Sequence, residues 1–452
     1  MATTRPSVRL PLLLLFALLL PAACGWPHRA ATRSGPPGTL VPLPGFEAVR
    51  AIDGYPSDAF QRAFDEAVAK FAATPLPADG RRDFDMLVLS SGGANGAFGA
   101  GVLTGWTRCG NRPDFRVVTG VSVGALMAPF VFAGPAFDDR LEQLFARIEP
   151  GDLHREKGIV ASVLFDESLM DNSPLRRAIE HGIDDELLAA VAARHDEGRR
   201  CWVGSTNLDA GEFVVWDLGA IAKIGTAEAR ELFCKVLTAS ASIPVVYPPV
   251  RFEHGGDGEL HVDGAVIRPL FIPQNVFDGY LSAERVGMNW DDVDATMYVV
   301  HNGSLRPCPV DVQRDTLDIA TRTVTMMSYT MIKEHVLHLF MLSRAWGAEF
   351  RFITLKDGLE VPIDTFTPEQ TYRLFLLGQG KIEEQTPWEE SPPDYLFRKD
   401  LERIAPVGPD PAAAATATAA TRDREILDRL ERIEAELREL RAGAGSGASV
   451  GK

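Results

Sequence analysis

The sequence predicts an α/β protein, and three observations support this fold class. Short apolar runs alternate with stretches of helical periodicity between about residues 46 and 400, which is the pattern of strands followed by helices. Two turns rich in Gly and Ser each follow an apolar run and precede a predicted helix. Hydrophobic residues make up 46% of the 452 residues and charged residues 24%, which is typical of a globular chain and not of a disordered one.

Residues 1–24 are predicted to be an export signal that lies outside the fold. Arg5 and Arg9 precede an uncharged apolar run that is too short to span a membrane comfortably. Small residues then lead to Cys24, as in bacterial lipoprotein cleavage sites, although Pro21 stands where such sites usually carry Leu. Lipidation of Cys24 would anchor the protein to a membrane of the bacterial cell envelope, at the outer membrane or in the periplasm. Plain secretion is the alternative.

Three further segments lie outside the predicted domain. Residues 25–45 are rich in Pro, Gly and small residues and are expected to be a tether, and residues 406–421 form a second low-complexity linker. Residues 422–442 are predicted to form a charged amphipathic helix, whose apolar residues between 426 and 440 are spaced four and three apart, as in a coiled coil. This helix pairs with a second copy in a homo-oligomer or packs on its own domain. Residues 443–452 are expected to be disordered.

Apolar runs predict the strands, and the stretches between them predict the helices. Strands are expected over 84–90, 115–119, 201–205, 213–216, 296–300 and 350–354. Helices are expected over 95–106, from 125 onward, and over 226–240 and 311–346. A turn over 209–211 separates the third and fourth strands, and a further short strand is expected to end at Asp263.

The segment 120–124 fits the pattern G-x-S-x-G and lies between an apolar strand and a helix. A nucleophile elbow needs this layout, because flanking glycines allow a tight turn and close approach of the substrate. Such a turn presents the Ser122 hydroxyl at a helix N-terminus, where backbone N–H groups favour developing negative charge. The alternative is an ordinary turn in which Ser122 caps the helix.

The segment 91–96 is a Gly-rich loop directly after the first predicted strand. Neither the spacing G-x-G-x-x-G nor a P-loop pattern is present, which argues against a nucleotide site. A loop that exposes several adjacent N–H groups suits an oxyanion equally well. A third segment, His261–Ala265, places Asp263 and Gly264 at a strand end, where they form either a catalytic carboxylate site or an ordinary turn.

These three motifs, in this order, resemble those of patatin-like phospholipases. That family combines a Gly-rich oxyanion loop, a G-x-S-x-G serine and a D-G-[GA] aspartate, and the segments 239–244 and 247–249 resemble the stretch that usually precedes the aspartate. The resemblance covers residues 84–270 and extends loosely to about 385. It implies a three-layer α/β/α fold with a central, mostly parallel sheet, and a catalytic domain over 46–400.

The resemblance also implies a serine lipid acyl hydrolase that works through an acyl-enzyme. Ser122 would be the nucleophile and Asp263 the base that takes its proton, with phospholipids as the first substrates to consider. Backbone N–H groups of Gly92, Gly93 and Ala94 would hold the oxyanion. Five residues would support these motifs: Asn95, Gly96, Gly120, Gly124 and Gly264.

Two residues depart from the family pattern. Ser91 stands at the first glycine position of the loop, and Asn95 replaces a basic residue. Without that cation, stabilisation of the oxyanion is expected to depend on backbone N–H groups, with the Asn95 side-chain amide as a candidate further donor.

Two alternatives stay open at this point. One is a Ser-Asp-His triad, for which His301 is the best placed histidine, whereas His335 and His338 lie on one helix face and are expected to be structural. A dyad predicts that turnover survives replacement of His301. The other alternative is a catalytically silent, membrane-anchored scaffold. The altered oxyanion loop is the feature that supports this alternative.

Composition and residue spacing exclude several other classes. The net charge of −16 argues against a nucleic-acid partner, and no cluster has metal-ligand spacing, so we expect no metal and no cofactor. Four cysteines are expected to be buried free thiols: Cys109, Cys201, Cys234 and Cys308. Four aromatic residues are expected in the core or, alternatively, along an acyl groove: Phe98, Trp106, Trp202 and Trp216.

Overall fold

The computed structural model describes residues 38–392, except 79, 149–150, 152–154, 157–169, 254–257, 274–278 and 362–365. Several predicted features lie outside the described residues. They are the export signal with Cys24, most of the tether over 25–45, the linker over 406–421, the helix over 422–442 and the tail over 443–452. These features stay predictions.

Nine strands of the described residues form one sheet, and two more form a separate antiparallel pair. The strands are β1 (Arg50–Ile52), β2 (Arg82–Leu89), β3 (Val117–Val121), β4 (Arg155–Glu156), β5 (Met170–Asp171), β6 (Arg200–Asn207), β7 (Glu212–Asp217), β8 (Val250–Phe252), β9 (Glu259–Asp263), β10 (Val293–His301) and β11 (Glu349–Thr354). The order across the sheet is β1-β7-β6-β3-β2-β10-β11, and β9 pairs with both β6 and β8. The separate pair is β4 with β5.

Five neighbouring strands of the sheet, β6, β3, β2, β10 and β11, run parallel to one another. Parallel strands are covered on both faces by the helices that connect them, so their sequences are near-continuous apolar runs. Residues 86–89 of β2 and 299–300 of β10 are accordingly all fully buried. The remaining strands of the sheet pair antiparallel.

The helices of the described residues lie mostly between successive strands. They are α1 (Asp58–Ala72), α2 (Gly96–Arg108), α3 (Val123–Ala133), α4 (Asp138–Phe145), α5 (Ser173–Gly182), α6 (Asp185–Asp196), α7 (Leu218–Ile224), α8 (Ala227–Ser240), α9 (Gly279–Arg285), α10 (Thr316–Ala345) and α11 (Pro368–Ile382). Side-chain caps set several helix starts: Ser57 at α1, Thr226 at α8 and Thr367 at α11 each accept a hydrogen bond from a backbone N–H of the first turn.

The helices cover the sheet on both faces, because successive side chains of a strand point to opposite sides. On one face, Leu87 joins a large core with Phe98 of α2 and Phe375 of α11. On the other face, Trp202 of β6 stacks on Phe60 of α1, and α10 packs along β11. The fold is therefore a three-layer α/β/α arrangement around a mostly parallel sheet, as the sequence predicted.

The six predicted strands correspond to β2, β3, β6, β7, β10 and β11. The helix predicted over 311–346 begins at Thr316. No pattern in the sequence predicted β1, β8 and several helices, among them α1 and α11. None of the helices in the described ranges is long and apolar enough to cross a membrane.

Candidate active site

Ser122 lies in a sharp turn between the end of β3 and the start of α3. Its backbone has φ 56° and ψ −125°, a conformation that non-glycine residues rarely adopt and that costs on the order of 1–3 kcal/mol. The side chain caps no N–H group of α3, and its hydroxyl donates a hydrogen bond to the Asp263 carboxyl. The turn therefore has the geometry of a nucleophile elbow, and Ser122 is not an ordinary helix cap.

Gly120 and Gly124 permit this turn because neighbouring backbone atoms approach both residues closely. A Cβ atom at position 120 would lie 2.7 Å from the backbone nitrogen of Ala125. A Cβ atom at position 124 would lie 2.7 Å from the carbonyl oxygen of Ser90, at the end of the adjacent strand. Because packed backbone cannot yield to such contacts, both positions require glycine.

Ser240, the last residue of α8, fixes the backbone of the serine turn. Its buried hydroxyl accepts a hydrogen bond from the Ser122 N–H at 3.0 Å and donates one to the carbonyl oxygen of Gly204 at 2.7 Å. The Ser122 N–H is therefore not available to an oxyanion. The sequence indicated no role for Ser240, which lies in the segment 239–244 that resembles the family. Nothing in the neighbouring residues indicates its contact with Ser122.

Replacement of Ser240 with alanine is expected to lower kcat for a soluble ester by about ten- to hundredfold, because small displacements of a nucleophile have effects of that size. KM is expected to change less than about twofold, since Ser240 is not part of the pocket wall. Steady-state kinetics of parent and variant measure this split. The matched control is Ser242→Ala, because Ser242 is equally buried but donates only to the carbonyl oxygen of Thr238, at 2.8 Å. Equal losses in both variants would contradict a specific role of Ser240.

Asp263 is the last residue of β9 and begins a 3-10 turn over Gly264–Val266. Its Oδ1 accepts a hydrogen bond from the N–H of Ala265 at 2.8 Å, so it forms the ordinary turn and also contacts Ser122. Burial raises the pKa of the Asp263 carboxyl to about 7, although the hydrogen bonds from Ser122 and Ala265 act to lower it. Gly264 packs on β6, where a Cβ atom would lie 2.6 Å from the carbonyl oxygen of Gly204.

The Gly-rich loop lies between β2 and α2, beside Ser122. Gly93–Asn95 form one turn of 3-10 helix, in which Gly93 has φ 56°. The N–H groups of Gly93 and Ala94 donate to no acceptor among the described residues, and both residues line the same pocket as Ser122. Gly92 packs against Asn302: a Cβ atom added at position 92 would lie 2.6 Å from the Cβ atom of Asn302. The loop can therefore present free main-chain donors to an oxyanion.

Asn95 holds the loop in place and gives no donor to the site. Its amide nitrogen donates to the carbonyl oxygens of Gly92 and Val361, both at 3.3 Å. Its amide oxygen accepts from the N–H of Val361 at 2.8 Å. The expectation that this amide stabilises the oxyanion is therefore not met, because both of its N–H groups bond to backbone. Gly96 begins α2 and packs against the side chain of Val123.

His301 supports the Gly-rich loop and does not contact the serine or the aspartate. Its Nδ1 lies 2.9 Å from the Ser90 hydroxyl and its Nε2 lies 3.2 Å from the carbonyl oxygen of Ser304. Burial lowers the pKa of His301 to about 4, so the ring is neutral at neutral pH. No histidine of the described residues hydrogen-bonds to Ser122 or Asp263, which favours a dyad over a triad.

His335 and His338 lie on α10, and burial lowers the pKa of both. Their position agrees with a structural role. The cysteines differ in part from expectation: Cys201 and Cys234 are buried free thiols, but Cys109 and Cys308 are exposed. Among the described residues, no group of three or more His, Cys, Asp or Glu is arranged to hold a metal ion.

An apolar pocket of about 110 Å³ extends from Ser122 between helices. Its walls come from α3, α4, α5 and α8 and include Leu126, Phe130, Leu144, Phe145, Ile179 and Leu237. The four aromatic residues considered for an acyl groove are not part of these walls: Phe98, Trp106, Trp202 and Trp216 are buried in the core. The wall residues could not be predicted from the sequence, because aliphatic residues at helical spacing are equally typical of a helix packed in the core.

A strained serine between a strand and a helix, a buried carboxyl hydrogen-bonded to it, and free main-chain donors define a serine-hydrolase type of site on an α/β fold. Residues 87–275 match the family model of patatin-like phospholipases. The family is one of lipid hydrolases. The match includes the serine turn, the Gly-rich loop and the aspartate turn.

Two solved structures are also similar to this chain, both at low identity. VipD from Legionella pneumophila matches with 14% identity over 66% of this chain and 65% of its own, at a TM-score of 0.34. Human GIVD cytosolic phospholipase A2 matches with 13% identity over 69% of this chain and 53% of its own, at a TM-score of 0.27. No curated protein matches.

Proposed function

We propose that the protein is a serine lipid acyl hydrolase that acts through a Ser122–Asp263 dyad and an acyl-enzyme. The observation that carries this proposal is the hydrogen bond from the Ser122 hydroxyl, held in a strained turn, to the buried Asp263 carboxyl. The free N–H groups of Gly93 and Ala94 and the apolar pocket at Ser122 support it.

Acylation starts when Ser122 Oγ attacks the ester carbonyl carbon and Asp263 takes the hydroxyl proton. The carbonyl oxygen becomes an oxyanion, which the N–H groups of Gly93 and Ala94 stabilise. The bond from carbon to the leaving oxygen then breaks, and Asp263 returns its proton to the alcohol that leaves. The acyl group stays bound to Ser122.

Deacylation repeats these steps with water as the nucleophile. Asp263 takes a proton from water as the water oxygen attacks the acyl carbon, and the same N–H groups hold the second oxyanion. The bond between the acyl carbon and Ser122 Oγ breaks, and Ser122 recovers a proton from Asp263. The products are a carboxylic acid and the free enzyme.

The raised pKa of Asp263 makes this carboxylate a better base than an ordinary one. An aspartate in water has a pKa near 4 and accepts an alcohol proton poorly. Burial raises the pKa of Asp263 to about 7, which brings its basicity close to the value at which general bases work best near neutral pH. Burial thus gives Asp263 a pKa close to that of the histidine that serves as the base in triads.

The pocket favours an ester of an aliphatic acyl chain. Its lining is almost entirely apolar, and it contacts Ser122 and the oxyanion donors at one end. An acyl chain in this pocket would place its carbonyl group at the dyad. We propose phospholipids as the first substrates to test, with lysophospholipids and neutral lipids next. Anchoring through Cys24 in the cell envelope stays a prediction.

A fluorophosphonate probe tests the dyad directly. We expect covalent labelling of Ser122, at a rate that rises about tenfold per pH unit below pH 6 and levels off above about pH 8, because the base must be deprotonated. The pKa of about 7 for Asp263 sets the position of this rise. Labelling at a series of pH values, with the labelled peptide located by mass spectrometry, measures both features.

Ser122→Ala is the control and is expected to take no label. A folded parent protein that takes no label at any pH would favour the catalytically silent scaffold. Labelling of Ser122 at a rate that is constant from pH 5 to pH 9 would show instead that Asp263 is not the base.

A further inference from the structure

The first half of α10 extends beyond the edge of the sheet at which Ser122 lies. In its second half, Phe340 packs against Phe350 at the start of β11. Earlier in the helix, Tyr329 hydrogen-bonds to Glu360, whose carboxylate also accepts the N–H of Ser304, just after β10 ends. Tyr329 is thus level with the carboxyl ends of the strands. Residues 316–328, about 20 Å of helix at 1.5 Å per residue, therefore lie beyond that edge.

The outward side of this overhanging segment, residues 316–328, carries four large apolar side chains. Ile319, Val324, Met326 and Met327 are between 52% and 62% exposed. At 100° per residue, these four positions cover an arc of about 160° on the helix. Large apolar side chains are therefore grouped on one exposed face.

The opposite side of the segment faces the protein. Arg322, Thr325 and Tyr329 are spaced three and four residues apart and are only partly exposed. The Arg322 guanidinium donates to the carbonyl oxygen of Cys308 at 3.1 Å. The segment is therefore attached along this side, and its apolar side is turned away from the domain.

The overhanging segment carries only two charged residues, Asp318 and Arg322. No charged residue occurs over 323–332, although the whole chain has a net charge of −16. A solvated helix usually carries charged residues on its exposed face, and an exposed apolar face without them indicates an interaction surface.

We propose that the overhanging segment lies on the surface of the phospholipid aggregate that contains the substrate. This inference depends on the proposed function. The segment extends from the sheet edge that carries Ser122. Two further exposed apolar residues are Val245, between the pocket residues Ile243 and Tyr247, and Val266, three residues after Asp263. The apolar face of a helix that lies along a membrane surface inserts into the interfacial region of the bilayer without crossing it.

The surface chemistry follows from the charge of the protein. A chain with a net charge of −16 is repelled by anionic lipids, and the overhanging segment offers few cations to offset this repulsion. Its Met, Val and Ile side chains gain by burial in apolar surroundings whatever the head group. The partner is therefore a zwitterionic phospholipid surface.

Met327→Asp tests the proposal. Hydrolysis of phosphatidylcholine vesicles is expected to fall at least about tenfold, because the variant replaces a buried apolar contact by a charge at the interface. Hydrolysis of a soluble short-chain ester is expected to stay within about twofold, since Met327 is not part of the pocket wall. The matched control is Leu76→Asp, which adds the same charge at a residue 52% exposed between α1 and β2, at the opposite edge of the sheet.

Three outcomes overturn the proposal. Unchanged vesicle hydrolysis means that the segment does not contact lipid, and equal losses on both substrates mean that Met327 acts on the site itself. A change in sedimentation mass between parent and Met327→Asp means that a second copy covers this face. If the parent cleaves neither substrate, the proposed function fails, and flotation with phosphatidylcholine vesicles decides the docking alone: weaker binding of Met327→Asp than of Leu76→Asp supports it, and equal binding rejects it.

Discussion

Replacement of Ser122 with alanine is expected to lower kcat for a soluble ester by at least about 10⁴-fold, the usual size of the effect when a nucleophilic serine is removed. The variant lacks the oxygen that forms the acyl-enzyme, while the N–H groups of Gly93 and Ala94 and the pocket remain. Steady-state rates of parent and variant on the same ester measure the loss. Residual turnover within tenfold of the parent would reject Ser122 as the nucleophile.

A second variant separates loss of chemistry from loss of fold. Ser122→Gly is expected to be equally inactive but to have a higher thermal midpoint than Ser122→Ala. Position 122 has φ 56°, which glycine adopts without strain and alanine does not. A lower midpoint for the glycine variant would mean that the turn is not strained in the folded protein.

Replacement of Asp263 with asparagine is expected to lower kcat by about 10³- to 10⁴-fold, as the loss of an essential carboxylate does in serine hydrolases. Asparagine has nearly the same size and can still accept the hydrogen bond from the N–H of Ala265, which the carboxylate accepts at 2.8 Å. It cannot take the proton of Ser122. The same ester assay, with KM measured separately, tests this effect.

The same variant has an expected effect on stability. Because burial raises the pKa of Asp263 from 3.8 to about 7, the folded state binds this proton more tightly than the unfolded state. Its contribution to stability is fully present below about pH 4 and is lost as the pH rises through 7. Asp263→Asn is expected to lack this decline in denaturant titrations between pH 4 and pH 8. A decline of equal size in both proteins would show that Asp263 is not the group responsible.

Much of the fold and of the candidate site could be predicted from local sequence. The strands β2, β3 and β10 are apolar runs because parallel strands are buried on both faces. Gly120 and Gly124 could be recognised because the tight turn around Ser122 requires small residues on both sides. The short edge strands β1 and β8, each three residues long, gave too little pattern to detect.

The roles of Asn95 and His301 could not be predicted, because they depend on partners far away in sequence. Asn95 bonds to Val361, 266 positions later, and so holds the loop and does not donate to an oxyanion. His301 bonds to Ser90, 211 positions earlier, and so supports the same loop and does not contact Ser122 or Asp263. Each side chain has chemistry suited to either role, and only its neighbours decide between them.

Periodicity and steric demands within a few residues were enough to predict the α/β class, the two Gly-rich turns, and the serine and aspartate of the proposed site. The folded chain alone shows that Asp263 contacts Ser122, that Ser240 fixes the serine turn from 118 positions away, and that four helices enclose an apolar pocket. It also shows that half of α10 lies outside the core. These features depend on which surfaces pack together, and helical periodicity identifies an apolar face without indicating what covers it.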